Sequence, residues 1–307
     1  MRSHGANEAA KRSTFILVGA VTTAAPFICK NACRVDGKVT RAATLSSVRM
    51  SAARNPAEPI LRINGVRKIY RDLEAIRNVS LDVAENEFVS VLGPSGCGKS
   101  TLLMMAAGLI DPSEGTITIN GSPVTGPRPE VGVVFQQPVL LPWRTVLDNV
   151  LFPIELLKRP RAQFEQRALS LLSMAKIDDF VNHLPRQLSG GMRQRASICR
   201  ALIHDPSILL MDEPFSALDA ITRDEMGVEL LRIWQANRKT VIFVTHSIRE
   251  AAFLSDRVLV MCRRPATIIE NLKIALPRPR EIAMMESEPF NQYVRELRKS
   301  IEASHAR

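Results

Sequence analysis

The sequence predicts an α/β fold built on a parallel β-sheet, and three kinds of segment carry this prediction. An apolar run at 88–92 ends at a glycine-rich loop, and the segment 99–109 that follows is helical in pattern. Two further continuous apolar runs, 208–211 and 241–245, are typical of central strands buried on both faces of a sheet. An amphipathic helical segment at about 222–237 separates these runs. Alternation of strands with helices favours a sheet whose ligands bind at the carboxyl ends of its strands.

Shorter segments fill in the rest of this fold. Additional strands are expected at 60–63, 79–83, 116–119 and 131–135. Asn120-Gly121 predicts a tight turn after the strand at 116–119. Residues 145–180 are mostly helical in period, and we expect Pro153 and Pro160 to break this helical region. No internal repeat is visible in the sequence, which indicates a single unit of this kind.

Composition and charge narrow the class of protein. The 307 residues are sufficient for a large domain with a sizeable core. The net charge is +10, but residues 1–50 hold eight basic and two acidic side chains, so the remaining 257 residues carry only +4. The body of the chain therefore gives little support to nucleic-acid binding. No uninterrupted run of 18 or more apolar residues occurs, so we expect any membrane-spanning helices to come from another chain. The five cysteines lack zinc-site spacing and are expected to be reduced thiols.

Residues 1–55 form a basic amino-terminal extension for which three interpretations remain open. The favoured one is that translation begins at Met50, because the sequence from there leads directly into the first strand. The second interpretation is a disordered tail. The third is a targeting segment, since the apolar stretch 13–29 follows basic residues.

A glycine-rich motif joins the strand at 88–92 to the helix at 99–109 and fits the P-loop pattern GxxxxGK[ST]. Its residues are Gly93, Pro94, Ser95, Gly96, Cys97, Gly98, Lys99, Ser100 and Thr101. Glycines let backbone N–H groups surround phosphate oxygens, and the start of a helix adds positive potential. We therefore expect this motif to bind ATP, with Lys99 at the β- and γ-phosphates and Ser100 as a ligand of Mg²⁺.

A second motif is the apolar strand at 208–211, which ends in two carboxylates, Asp212 and Glu213. Following a P-loop, such a strand indicates an enzyme that hydrolyses a nucleoside triphosphate. Asp212 is expected to hold Mg²⁺ through water. Glu213 is expected to polarise the attacking water as a general base.

The segment 188–195 reads LSGGMRQR and carries the strongest family resemblance. It resembles the signature motif of ABC transporter ATPases, which few other P-loop proteins contain. Ser189 can cap the helix that follows, and Gly190 and Gly191 let the backbone approach a phosphate closely. The resemblance covers about 59–275. It implies the ABC ATPase fold, with a RecA-like parallel-sheet core, an antiparallel β subdomain and an α-helical signature subdomain.

Further positions match elements of this family in chain order. Tyr70 resembles the aromatic residue that stacks on adenine, and Gln136 resembles the glutamine that senses Mg²⁺ and the γ-phosphate. His246 resembles the switch histidine that contacts the γ-phosphate, and residues 216–219 resemble the loop that crosses the dimer interface. The resemblance thus implies a metal site formed by Ser100, Gln136 and Asp212. It implies catalytic roles for Glu213, His246, Lys99 and Gln136.

The turn before the P-loop strand departs from the family pattern. The family usually has glycine there, whereas this chain has Glu85-Asn86-Glu87. Asparagine tolerates a positive φ better than most residues, so we expect the turn to keep its form.

The resemblance also implies how the chain works with other proteins. It implies an ATP hydrolase coupled to transport, an ABC-type translocase that requires ATP and Mg²⁺. In this family the signature of one subunit faces the P-loop of another, so we expect a homodimer or a pair with a similar subunit. We expect an ATPase domain at 56–275, in which a helical subdomain at about 137–187 transmits movement to a membrane permease. A short carboxyl-terminal tail at 276–307 completes the chain. The expected location is peripheral, at the cytoplasmic face of the inner (plasma) membrane.

Several stretches resemble one group of importers, the nitrate/sulfonate/taurine ATPases. These stretches are 135–150, 245–251, 254–258 and 276–280. The resemblance implies import of a small solute that an extracytoplasmic binding protein delivers, and it leaves nitrate, taurine, alkanesulfonates and small heterocycles open. The alternatives are an exporter or lipid-handling ATPase with a separate permease, and an ABC ATPase that acts on DNA or ribosomes rather than in transport. If Trp143 and its neighbours only pack the helical subdomain, the subfamily stays open.

Overall fold

The computed structural model describes residues 58–305, so the interpretations of residues 1–55 lie outside the described range. The strands are β1 (Leu61–Tyr70), β2 (Leu73–Val83), β3 (Phe88–Leu92), β4 (Glu114–Ile119), β5 (Ser122–Pro123), β6 (Val131–Val134), β7 (Ile208–Asp212), β8 (Thr240–Thr245), β9 (Arg257–Met261) and β10 (Ile268–Lys273). The helices are α1 (Lys99–Ala106), α2 (Val146–Leu156), α3 (Ala162–Met174), α4 (Gly190–Leu202), α5 (Ala220–Asn237), α6 (Ile248–Leu254) and α7 (Glu288–His305). Short 3₁₀ turns occur at Asp178–Phe180, Pro185–Gln187 and Ile282–Glu286.

The central sheet has six strands in the order β10-β9-β3-β8-β7-β6. All neighbours pair in parallel except β10, which runs antiparallel to β9 at the edge. Every residue of β3, β7 and β8 is buried, which explains why these strands are continuous apolar runs in the sequence. The predicted α/β fold with a parallel sheet is confirmed.

Side chains from the two faces of this sheet belong to two separate parts of the core. Phe88 and Phe243 face the helices α2 to α7, whereas Val89 and Ile242 face α1 and the smaller sheet. Successive residues of a strand point to opposite faces, so each buried strand contributes to both parts. This arrangement fixes the strands rigidly and therefore fixes the loops at their carboxyl ends.

The smaller sheet is antiparallel, with the order β2-β1-β4-β5. Its β4–β5 hairpin turns at Asn120 and Gly121, whose φ angles of 50° and 72° are those that a two-residue hairpin loop requires. The predicted turn is confirmed, as is the turn before β3, where Asn86 has a φ of 61°. Strands β1 and β2 are longer than the segments 60–63 and 79–83 because they continue to pair with each other up to Tyr70 and Leu73.

The helical part between β6 and β7 corrects one prediction. Pro160 does lie between helices, but Pro153 lies inside α2 and does not break it. A proline within a helix costs about 3 kcal/mol. Val150, Leu151 and Ile154 around it are each fully buried, and burying one such side chain contributes roughly 1.5–3 kcal/mol. Packing therefore outweighs the lost backbone hydrogen bond.

The last strand and the last helix of the described range are β10 and α7, and α7 is amphipathic. Within residues 58–305, no helix combines the length and the apolar character needed to cross a bilayer.

Candidate functional site

Four parallel strands, β6, β7, β8 and β3, bring their carboxyl ends to the same edge of the sheet. The P-loop leaves β3, Glu213 follows β7, His246 follows β8, and Gln136 lies two residues beyond β6. Because neighbouring parallel strands end at the same edge, residues far apart in sequence meet there. The candidate site lies at this edge.

The P-loop backbone depends on glycine at two positions. Gly98 has a φ of 124°, which other residues rarely adopt, and it immediately precedes the first residue of α1. A Cβ atom on Gly93 would lie 2.8 Å from the Met261 carbonyl oxygen of β9. The Cys97 thiol points into the core, and burial raises its pKa. The loop therefore turns its backbone, rather than bulky side chains, towards the edge of the sheet.

Lys99 is the buried charge at the centre of the site. Its side chain is almost fully enclosed, and its Nζ donates to the carbonyl oxygens of Gly93 and Pro94 at 2.9 and 3.0 Å. The same Nζ lies 3.4 Å from Glu213 Oε1. A buried ammonium needs such partners, and it is positioned to exchange them for phosphate oxygens.

Ser100 and Asp212 form the second pair. Ser100 Oγ donates to Asp212 Oδ1 at 2.9 Å. Burial raises the pKa of Asp212, while the hydrogen bond from Ser100 acts in the opposite direction. A hydroxyl oxygen beside a carboxylate supplies the hard oxygen ligands that Mg²⁺ prefers, so these two residues fit a magnesium ion.

Glu213 connects the lysine to the histidine. It has a φ of 42°, an unusual conformation for glutamate, and its backbone N–H donates to the Val244 carbonyl at 2.9 Å. Its Oε2 lies 2.9 Å from His246 Nδ1, and an ionised carboxylate there accepts the ring N–H. Gln136 Nε2 donates to Ser216 Oγ at 3.2 Å, which ties it to the loop after Glu213.

Other predicted residues lie apart from this group. Ser189 caps α4 by accepting from the Met192 N–H at 3.2 Å, which confirms the predicted cap. Gly190 and Gly191 begin α4, where a Cβ on Gly191 would meet only side chains of Thr222 and Leu218. Among the described residues no hydrogen bond or ion pair joins this signature to the P-loop.

Tyr70 also lies apart, at the end of β1. It is 41% exposed, and Lys68 Nζ lies 5.1 Å from the centre of its ring. Its ring face is thus available to a flat partner or to a cation.

One contact was missed by the sequence analysis. Arg264 Nε donates to the carbonyl oxygen of Gly96 in the P-loop at 2.6 Å. Arg263 and Arg264 also line a cavity of about 740 Å³ together with the P-loop and His246. The sequence shows only a pair of arginines one residue after β9, the strand that pairs with β3, and this pair does not by itself specify the contact.

The geometry now defines a class of protein. A glycine loop leads into a helix, a buried lysine lies beside it, and two carboxylates with a histidine stand opposite, which is the arrangement of a P-loop NTPase. Comparison with known proteins narrows this class: a family described as ABC transporter matches residues 76–216.

Individual relatives agree with this match. The chain is 50% identical over 230 residues to an uncharacterized ABC transporter ATP-binding protein of Methanocaldococcus jannaschii, covering 74% of this chain and 86% of that protein. It is 46% identical over 215 residues to the taurine import ATP-binding protein TauB of Yersinia pestis, covering 70% and 84%. The dimeric structure of MJ0796, a bacterial ABC transporter cassette, aligns with a TM-score of 0.63 and 34% identity, covering 71% and 100%.

The chain therefore belongs to the ABC transporter family, as an ATP-binding subunit that hydrolyses ATP in transport. A related solved structure is a dimeric post-hydrolysis state of MJ0796 bound to ADP and Pi, at 32% identity and a TM-score of 0.60.

Proposed function

We propose that this chain powers an importer of nitrate, a sulfonate, taurine or a similar small solute. The observation that carries the proposal is the 46% identity to a taurine import ATP-binding protein over 84% of that protein's length. The stretches around Trp143 and Ser247 that resemble importer ATPases support the same group. Selection of the solute is assigned to a permease and an extracytoplasmic binding protein.

The proposed chemistry follows from the contacts of the site residues. The Glu213 carboxylate takes a proton from the attacking water as general base, and His246 holds that carboxylate in place through Nδ1. Lys99 exchanges its carbonyl partners for the β- and γ-phosphates of ATP. The backbone N–H groups of the P-loop and Tyr70, as the adenine-stacking residue, complete the nucleotide site.

Mg²⁺ belongs to the proposal as the ion that neutralises the phosphate charge when bound. Ser100 and Asp212 are the residues that would hold it, since their oxygens already lie 2.9 Å apart. Gln136 is proposed as a further ligand; in this structure its amide donates to Ser216 instead of contacting either of these two residues.

The proposed assembly is a two-fold dimer, either of two copies or of this chain with a similar subunit. Ser189, Gly190 and Gly191 are exposed or partly exposed at the start of α4 and make no polar contact with the P-loop of their own chain. A second protomer supplies the missing half of each site, so that ATP holds the two together. The dimeric MJ0796 cassette is consistent with this arrangement.

The proposed surface for the permease is the helical subdomain at 137–187 of the ATPase domain 56–275. Trp143 is 71% exposed and Val139 is 51% exposed there, so these side chains do not serve to pack the subdomain. Neighbouring exposed apolar side chains mark a surface for a partner. This interaction places the chain peripherally at the cytoplasmic face of the membrane.

The proposal is tested by purifying the tagged chain from detergent-solubilised membranes and identifying the proteins that accompany it. The Glu213→Gln variant is used because slow hydrolysis should prolong the assembled state. A second preparation carries Trp143→Ala, which removes the exposed ring and leaves the nucleotide site intact.

We expect a multi-span permease to be recovered with the Glu213→Gln variant. Much less of this permease should be recovered with Trp143→Ala. Thermal-shift screening of the accompanying binding protein against nitrate, taurine and alkanesulfonates then identifies the solute. Recovery of only ribosomal or DNA-bound proteins would refute the importer. Recovery of a permease that exports lipid or other compounds would mean that the chain powers an exporter rather than an importer.

A further inference from the structure

A second cavity lies next to the nucleotide site, between α6 and the tail helix α7. Its volume is about 520 Å³. Arg249 of α6 and Arg295 and Arg298 of α7 line it, together with Asn291 and His246. Among the described residues that line it, none carries a carboxylate. We call it the arginine cavity.

The helix that forms one wall is firmly attached to the domain. Phe290 and Leu297 of α7 are fully buried against the main core. Tyr293 Oη accepts a hydrogen bond from the Ala275 N–H at 3.1 Å. The guanidinium carbon of Arg249 lies 5.4 Å from the centre of the Phe290 ring, which restrains Arg249 as well. The cavity is thus a feature of the folded domain rather than a gap beside a loose tail.

The charge in the arginine cavity is only partly neutralised. Arg295 pairs with Glu288, an exposed residue at the start of the same helix. Within residues 58–305, neither Arg249 nor Arg298 forms an ion pair. All three arginines are exposed, and although they come from two helices they line the same concave surface. Such a surface concentrates positive potential and attracts anions.

The arginine cavity also borders the nucleotide site. His246 and Ile248 line both this cavity and the cavity that contains the P-loop. Ile301 of α7 also lines the P-loop cavity. A ligand in the arginine cavity would therefore lie next to His246, the histidine that pairs with Glu213.

We propose that the arginine cavity binds a small organic oxyanion, either a phosphate or a sulfonate. Guanidinium groups present paired N–H donors that match the oxygens of such anions, and these charge-assisted hydrogen bonds are the strong ones. The volume lies in the range of small-molecule sites, so the cavity has room for an organic part beside the anionic group. The Asn291 amide is a neutral donor or acceptor for that part.

The test is calorimetric titration of the full chain, saturated with ADP so that the P-loop is occupied, with 3-phosphoglycerate and separately with sulfoacetate. The two probes distinguish a phosphate ligand from a sulfonate ligand. The test variant is Arg298→Gln. The matched control is Lys299→Gln, which removes the same charge from an exposed neighbour that does not line the cavity.

We expect at least one probe to bind. Arg298→Gln should lower the affinity for that probe about tenfold or more, as loss of a charge-assisted hydrogen bond predicts. Lys299→Gln should change the affinity less than twofold, and both variants should unfold at the temperature of the unsubstituted chain. Absence of binding by both probes overturns the proposal, as does equal weakening in the two variants. Failure of ADP itself to bind counts against the proposed nucleotide site, while the dependence on Arg298 still decides the anion site.

Discussion

At the residue scale, the site consists of charges that already satisfy one another. Lys99 interacts with two carbonyls and with Glu213, and Glu213 also accepts from His246. Each interaction keeps a buried or half-buried charge from being left alone, which would cost several kcal/mol. Binding of phosphates therefore exchanges partners within a prepared set, and each member can be tested by itself.

The first prediction concerns Lys99→Ala. We expect the affinity for ATP to fall about 10- to 100-fold, because hydrogen bonds from a charged donor contribute roughly 1.5–3 kcal/mol. Calorimetric titration with ATP measures this directly. Lys239→Ala is the control: Lys239 is similarly shielded and pairs with Asp205 at 3.0 Å, but it precedes β8 at the opposite edge of the sheet. Unchanged affinity in Lys99→Ala would contradict the phosphate assignment.

The second prediction concerns Glu213→Gln. The amide keeps the shape of the side chain but cannot take a proton from water, so we expect turnover to fall by about 10²- to 10⁴-fold while ATP still binds. The variant should accumulate as an ATP-bound dimer, which gel filtration with ATP detects. Only monomer in that experiment, or hydrolysis at the normal rate, would show that Glu213 is not the base.

The P-loop pattern indicated Lys99, and the end of an apolar run indicated Glu213, whereas the role of His246 came from the family resemblance. Asp212 and Glu213 end an apolar run, and His246 ends the next one, so parallel pairing brings them together. Arg264 was not found, because its role depends on a contact between the loop after β9 and a carbonyl of the P-loop. No spacing within the sequence encodes that contact.

At the element scale, local patterns fixed the existence of the strands and helices better than their ends. The hairpin turn at Asn120-Gly121 was predicted because its backbone geometry selects those residue types. The lengths of β1 and β2 were not predicted, because the pairing between these two strands decides where they end. Pro153 misled the prediction in the same way, since burial of its neighbours outweighs its local preference.

The third prediction follows from that proline. We expect Pro153→Ala to raise the free energy of unfolding by about 1–2 kcal/mol, since alanine restores a helix hydrogen bond and the gain is reduced by the freer unfolded chain. Chemical denaturation measures the change. Pro160→Ala, in the connection between α2 and α3, is the control and should give no such gain. A loss of stability in Pro153→Ala would mean that α2 needs the proline.

At the scale of the whole molecule, the P-loop and the signature lie at separate places on the chain, although the proposed function joins them in one nucleotide site. The P-loop with its carboxylates occupies the sheet edge, while the signature begins α4, without polar contact between them in the described residues. In the proposed assembly, a single chain therefore supplies one half of each nucleotide site. The proposed dimer joins the two halves, and Gly190 allows this to be tested without disturbing either half.

The fourth prediction concerns Gly190→Ala. Among the described residues outside its own helical turn, a Cβ atom at this position meets nothing within 4 Å, and alanine is the better helix former. The stability of the monomer should therefore not fall, and its binding of ATP should be unchanged. If the glycine faces the nucleotide of a second protomer, the methyl group blocks close approach of the backbone, and the ATP-dependent dimer of Glu213→Gln should be lost when the two changes are combined.

Gly126→Ala is the matched control, because a Cβ atom there also meets nothing within 4 Å and Gly126 lies outside the signature. Combined with Glu213→Gln, it should leave the dimer intact, and sedimentation with ATP compares the two double variants. Equal dimerisation in both would mean that the signature does not form the interface. Loss in both would mean that the effect of an added methyl group does not depend on its place in the signature. Loss with Gly190→Ala alone would assign the signature to the partner's nucleotide, because the added methyl group has no neighbour within 4 Å among the described residues beyond its own helical turn and is therefore expected to act through a second protomer.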